Sequence, residues 1–152
     1  MPPLHRLRRR FRHHAWAGRL LCDALEARPT LEGARAFAHA LAADRVWHRR
    51  LTGQPVDIDV WPDLEVDACR VLWASTTADW SAYLERDFDL EAVVAYRTTS
   101  GAPFETPVAD VLDHVLLHAA HHRGQACAAL RAAGAVPPAL DLIAWGRAAP
   151  LT

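Results

Sequence analysis

Leu112-Asp-His114-Val-Leu-Leu-His118-Ala-Ala-His121-His122-Arg123-Gly124-Gln125 packs four of the chain's nine histidines into nine positions. Ahead of it, Thr106-Pro107 reads as a helix start, a capping hydroxyl followed by proline at the first helical position. Gly134 reads as its stop, so one long helix is expected up to Ala133. Residues four apart on a helix lie about 40° apart around its axis, one turn along, so His118 and His122 present both rings to one side. A helix offers two imidazoles to one metal ion in this way, as in HExxH zinc sites. Here Ala119, Ala120 and His121 intervene and no Glu follows His118, so the metalloprotease base is missing. Two ligands hold a divalent ion poorly. A third must come from another helix.

The best donor of that third ligand is His39, set among small and apolar residues in Ala36-Phe-Ala-His39-Ala-Leu-Ala-Ala-Asp44. His48 lies nine residues on, about 180° round the helix and beside Arg49 and Arg50, so the two cannot share one core face. Their helix is expected from a Thr30 cap, after the Arg28-Pro29 break, to Gly53. Before it, Leu7, Phe11, Ala15, Gly18, Leu21, Cys22 and Leu25 make one apolar stripe on a first helix from about Leu4 to Leu25. The basic run Arg6 to Arg12 is threaded by Leu4, Leu7, Phe11 and Trp16, which makes it a solvated helix face. After Gly53, the alternation of Val56, Ile58 and Val60 predicts an extended connector. A third helix is then expected from Pro62-Asp63 through Val66, Cys69, Leu72, Trp73, Trp80 and Leu84. Residues 92–99 and 102–104 around Ser100-Gly101 predict a short hairpin, and Ala139 to Ala148 a closing helix. The sum is an all-α, antiparallel bundle of four long helices in a single domain, 1–152, with one decorated connection.

Composition bounds the function. At 152 residues and 16.8 kDa the chain suits one domain, and 51% hydrophobic against 23% charged residues is globular composition. Its net charge of −1 fits no general nucleic-acid binder. All seventeen basic residues are Arg, which removes the Schiff-base and P-loop lysines. Three cysteines, Cys22, Cys69 and Cys127, lie far apart with no CxxC, so neither a disulfide framework nor a thiolate zinc site is indicated. No stretch is long and apolar enough for a membrane span, and the Arg-rich start has no apolar signal core behind it; a cytoplasmic protein is expected.

The segments His39-Ala-Leu-Ala-Ala-Asp44-Arg45-Val-Trp47 to Gly53 and His118-Ala-Ala-His121-His122-Arg123-Gly124-Gln125 resemble the DinB/YfiT-like family, which is unrelated to the DNA polymerase sharing the DinB name. His14-Ala-Trp16 resembles the family's aromatic-rich first helix, with His14 where Asn is often found. Tyr96 to Thr106 resembles its hairpin, and Leu140-Asp141-Leu-Ile143 its terminal helix. The resemblance implies a four-helix bundle of up-down-down-up topology, damage- or stress-associated, dimeric through its helix faces, with a divalent metal on His39, His118 and His122. It also implies a low-molecular-weight thiol as cofactor, as in the family's thiol S-transferases and thiol-dependent isomerases.

Three neutral imidazoles leave an ion open positions and its full charge, an arrangement suited to polarising a carbonyl, activating water or holding a thiolate. Zinc and nickel both suit such a site. His121 and Gln125 are candidates to support the ligand rings or line the pocket. Arg123 either binds a substrate carboxylate or pairs with Asp44 or another helix acid. Gly124 is expected to permit close helix packing, Cys127 to be small core, and the six tryptophans to be mainly core with one or two at the pocket. Two readings stand: a metal-dependent transferase using a small thiol, with hydrolase as its variant, acting on a small-molecule substrate; or a non-catalytic, metal- and ligand-binding dimeric module. The second is favoured by the lack of an Asp, Glu, Ser or Cys beside the histidine run as an evident base or nucleophile.

Overall fold

The computed structural model describes residues 3–148. Helices α1 (Pro3–Ala27), α2 (Leu31–Thr52) and α3 (Val66–Glu85) are followed by strands β1 (Val93–Arg97) and β2 (Pro103–Pro107), then α4 (Val108–Ala132) and α5 (Leu142–Ala148). Thr30 caps α2 by accepting the Gly33 N–H at 3.2 Å, and Gly53 ends it in the left-handed region at φ 67°. Both follow the sequence.

Side-chain contacts fix how the helices run. Arg8 Nε donates to the Leu84 carbonyl at 2.7 Å, while Arg70 pairs with Asp23 and Glu26, so α1 and α3 are antiparallel. His39 meets His122 and Trp47 meets His114, so α2 and α4 are antiparallel. Arg10 pairs with Asp113 at 2.9 Å and Arg28 donates to the Ala133 carbonyl at 2.8 Å, so α1 and α4 run parallel. α3 also packs on α2, and α5 rests on α1 through the buried Trp145, with the Arg9 guanidinium 4.7 Å above its ring. The basic run is thus threaded by the buried Leu7 and Phe11. Among the described residues no helix is long and apolar enough to cross a membrane.

Two apolar clusters fill the interior. One gathers Leu21, Leu25, Phe37, Leu41, Cys69, Leu72, Cys127 and Leu130; the other gathers Leu7, Phe11, Trp80, Tyr83, Leu84, Leu112 and Val115. Each buried Leu or Phe contributes about 1.5–3 kcal/mol. On each long helix a polar residue falls between the two clusters: the half-buried His14 on α1, and the buried Asp44 on α2, Thr76 on α3, and His122 and Arg123 on α4. A polar belt therefore crosses the middle of the molecule.

Three boundaries depart from expectation. The third helix starts at Val66, not Pro62, because residues 54–65 stay irregular and are drawn onto α2. Thr106 does not cap α4: it sits in β2 opposite Val94, and its hydroxyl is 3.2 Å from the Tyr96 hydroxyl. The first N–H groups of α4 are satisfied instead by backbone, Val108 N–H donating to the Ala92 carbonyl and Ala109 N–H to that of Leu90, at 2.8 and 3.0 Å. α5 begins at Leu142, three residues later than expected at Ala139. The hairpin forms, with Gly101 at φ 85° in its turn.

Candidate metal centre

α2 and α4, packed antiparallel, bring His39, His118 and His122 together. Ring centroids are 4.4 Å apart for His39–His122 and for His118–His122, and 5.0 Å for His39–His118. One nitrogen from each ring lies within 4.8 Å of the others, a grouping that fits a single metal ion.

Two of the rings have their other nitrogen fixed. His39 Nδ1–H donates to the Val60 carbonyl at 2.6 Å, and His122 Nδ1–H donates to Gln125 Oε1 at 2.7 Å. In a neutral ring this leaves Nε2 bare, with its lone pair free to bind a cation. Gln125 is in turn held by His121, whose Nε2 is 3.1 Å from the Gln125 amide nitrogen. His118 Nδ1 is buried and has no hydrogen-bond partner among the described residues.

Burial, reinforced by the neighbouring His122, His39 and His114, pushes His118 down to about 4. Burial also lowers His122, against the opposing Gln125 bond. Both rings are therefore neutral at pH 7, the form a metal requires.

The Val60 carbonyl reaches His39 because the connector is clamped. Arg45 grips both oxygens of Asp57 at 2.8 and 2.6 Å, and Arg49, one turn on, adds a third bond at 2.8 Å. Arg45 first, then Arg49, hold the Asp57 carboxyl at about 2. The same clamp sets Trp61 flat against His39, with centroids 3.6 Å apart and planes 7° from parallel. Trp61 is 54% exposed, so its indole walls the histidine group on the solvent side. Sequence reading missed both contacts. An irregular connector has no period from which side-chain direction could be read, and a carbonyl ligand to a ring leaves no residue-type signal.

The remaining candidates fall elsewhere. Arg123 is buried and its Nη1 donates to His14 Nδ1 at 2.7 Å, while His14 Nε2 is 2.8 Å from Asp44 Oδ2. Arginine only donates, so His14 accepts at Nδ1 and donates its Nε2–H to Asp44. Arg123 thus reaches Asp44 through a neutral imidazole. Gly124 is exposed and a Cβ there would meet nothing within 4 Å, which corrects the close-packing expectation. His48 lies outside the group, as the helix arithmetic requires. It is nonetheless buried, against Trp80 and Tyr83, because α2 is covered by α4 on one side and α3 on the other.

Cys22, Cys69 and Cys127 are free and buried. Burial pushes the Cys22 thiol up to about 12 and that of Cys69 to about 11, so neither supplies a thiolate near neutrality. Trp80 and Trp145 are buried, Trp16, Trp47 and Trp73 half-buried, and only Trp61 among the six lies flat on a ring of the trio.

Helices, a small two-stranded sheet and three converging imidazoles define a predominantly helical protein whose histidine group suits a divalent ion. Residues 23–149 match the family model described as DinB family, and the chain belongs to that family. No curated protein matches the chain at a significant level.

Proposed function

We propose that the protein binds one divalent ion, zinc or nickel, through His39, His118 and His122, and that it is a metal-dependent enzyme joining a low-molecular-weight thiol to a small electrophile, with hydrolysis as the close variant. The observation that carries this reading is the convergence of three imidazole nitrogens, two of the rings oriented by Val60 and Gln125. The group contains no carboxylate or thiol, so an ion held there keeps its full charge and open positions. When bound, the ion supplies Lewis acidity and a seat for an anionic thiolate or hydroxide.

The chain's own residues do the rest. His39, His118 and His122 hold lone pairs inward; Val60 and Gln125 keep two of those rings in one tautomer. Trp61 shields the His39 ring from water. With Cys22 and Cys69 held protonated by burial, the attacking sulfur comes from a separate thiol rather than from these side chains. The same reading takes the four long helices as an up-down-down-up bundle forming one domain, supported by the antiparallel α1–α3 and α2–α4 pairs and the parallel α1–α4 pair. It also takes the molecule as a cytoplasmic homodimer.

Metal content after purification tests the site. His118→Ala and His122→Ala should each retain well under half the wild-type metal, and His48→Ala all of it. Full occupancy in both α4 variants overturns the assignment. Turnover of a thiol with an electrophile, lost on chelation, supports the enzyme; metal-dependent thiol binding without turnover supports a non-catalytic binding module instead.

A further inference from the structure

α4 packs on α2 and on α1, and its remaining side faces solvent along its whole length. Asp110, Leu117, Gly124, Ala128 and Arg131 are all exposed there. On a helix these positions fall within about 40° of one line along the axis. Leu117 stands out at 71% exposed, and the exposed residues that follow it on this face include the small Ala120, Gly124 and Ala128. A Cβ on Gly124 would meet nothing within 4 Å, so alanine fits there as well as glycine. One apolar knob beside a shallow trough of small residues lets a second helix approach closely.

The charges on this face are separated. The acids of α4, Asp110 and Asp113, stand in its first two turns, and its exposed base, Arg131, stands in its last. Asp113 is paired with Arg10, whereas Asp110 and Arg131 have no ion-pair partner among the described residues. Arg28, bonded to the Ala133 carbonyl, adds a second cation at the C-terminal end. Between the ends, the exposed titratable groups of α4 are His114 and His121. The helix dipole favours acids first and bases last within one helix, but it gives no reason for the bare apolar middle.

The spacing selects the occupant. Leu117 and Gly124 are equidistant from a midpoint between Ala120 and His121, and so are Asp110 and Arg131. A second α4 running the opposite way about that midpoint sets Leu117 level with the partner's Gly124, and Asp110 level with the partner's Arg131. Two-fold symmetry makes each contact twice. A parallel pair would instead set like charges level at both ends. We propose that the homodimer closes by packing α4 antiparallel on α4 of a second copy, with its two-fold axis between Ala120 and His121. This deepens the dimer reading above and rests on it. His118 and His122 turn toward His39 on α2, so each metal group stays within its own subunit. His121 and Gln125 border the interface, and Gln125 accepts the His122 Nδ1–H. Closing the dimer therefore shields from water the bonds that orient a ligand ring.

Sedimentation equilibrium combined with cysteine cross-linking tests it. The native Cys22, Cys69 and Cys127 are buried, so a short bismaleimide reports on an introduced surface thiol. Ala120→Cys lies about 1.5 Å along the helix from its own copy across the axis and should yield a covalent dimer. Ala128→Cys lies about 22 Å along the helix from its copy and should not. Asp110→Arg and Arg131→Asp should each weaken dimerisation roughly tenfold, because each sets like charges level twice, and the double variant should return to within roughly twofold of wild type. A wild-type protein that sediments as a monomer at micromolar concentration overturns the dimer reading and this inference together. A wild-type dimer whose Ala120→Cys variant does not cross-link, or whose Ala128→Cys variant cross-links equally well, overturns this inference alone. So does a double charge reversal that dimerises no more tightly than the single ones.

Discussion

Gly18, a member of α1's apolar stripe, and Gly124, expected to permit close helix packing, both interrupt long helices. Their neighbours differ. A Cβ on Gly18 would lie 2.7 Å from Trp73 Cδ1 and 2.8 Å from its Nε1, and that indole is held by its N–H bond to the Ala15 carbonyl at 3.1 Å. The ring cannot withdraw without losing that bond. Gly18→Ala should therefore destabilise by about 1–2 kcal/mol, overpacking outweighing the gain in helix propensity. Gly124→Ala meets nothing and should stabilise by up to about 1 kcal/mol. Urea unfolding of the two variants checks both signs, and the same sign for both would contradict the packing argument. The histidines teach the same lesson at this scale. Helical arithmetic correctly separated His48 from His39, because angle depends on sequence spacing alone. It gave no warning that His48 is buried too, because burial depends on which helices cover each face.

At the scale of elements, the long helices were legible because their periods and caps are local: Thr30 and Gly53 bound α2 as read. Thr106-Pro107 carries the same kind of signal as Thr30 and yet ends a strand, because pairing with β1 supplies partners that a local reading cannot see. The connector 54–65 was least legible and contributes most to the histidine group after the helices themselves. Its Asp57 clamp on Arg45 and Arg49 fixes Val60 and Trp61 over His39. That stacking makes Trp61 a reporter. A paramagnetic ion held at His39 would lie close enough to quench the indole emission strongly. Adding Ni²⁺ to chelated protein should therefore lower tryptophan fluorescence in saturable fashion, and Trp61→Phe should remove most of the change while retaining the metal. An unchanged quench in that variant would show that the ion sits away from His39. Asp57→Asn should loosen the clamp and reduce the quench partially, linking the connector to the site through its ion pairs.

Over the whole molecule, Val71 on α3, Leu117 on α4 and Ile143 on α5 remain 72%, 71% and 65% exposed, and the homodimer proposed above predicts that a second copy covers apolar surface of this kind. Sedimentation at micromolar concentration should give a dimer, and a clean monomer would remove that part of the proposal. Buried and half-buried histidines set the response to pH. Burial is the leading cause that lowers His118 to about 4 and also lowers His13, His48 and His122. In the unfolded chain these rings titrate near ~6.5. Between the two values the unfolded chain binds more protons, so their contribution to stability is present above about pH 6.5 and is lost as pH falls through the folded values. Chelated protein should thus melt at progressively lower temperature from about pH 6.5 down to about pH 4, and His48→Phe should make that decline shallower. A bound metal adds stability to the folded state alone, but only while its ligand nitrogens are unprotonated. Because His118 and His122 are held down, protons compete poorly at first. The gap in melting temperature between metal-loaded and chelated protein should therefore outlast pH 6.5, shrink below it, and close near pH 4, where His118 itself takes a proton. A gap already closed at pH 6.5 would mean that the ligands titrate as exposed histidines; one undiminished well below pH 4 would mean that histidines do not hold the ion.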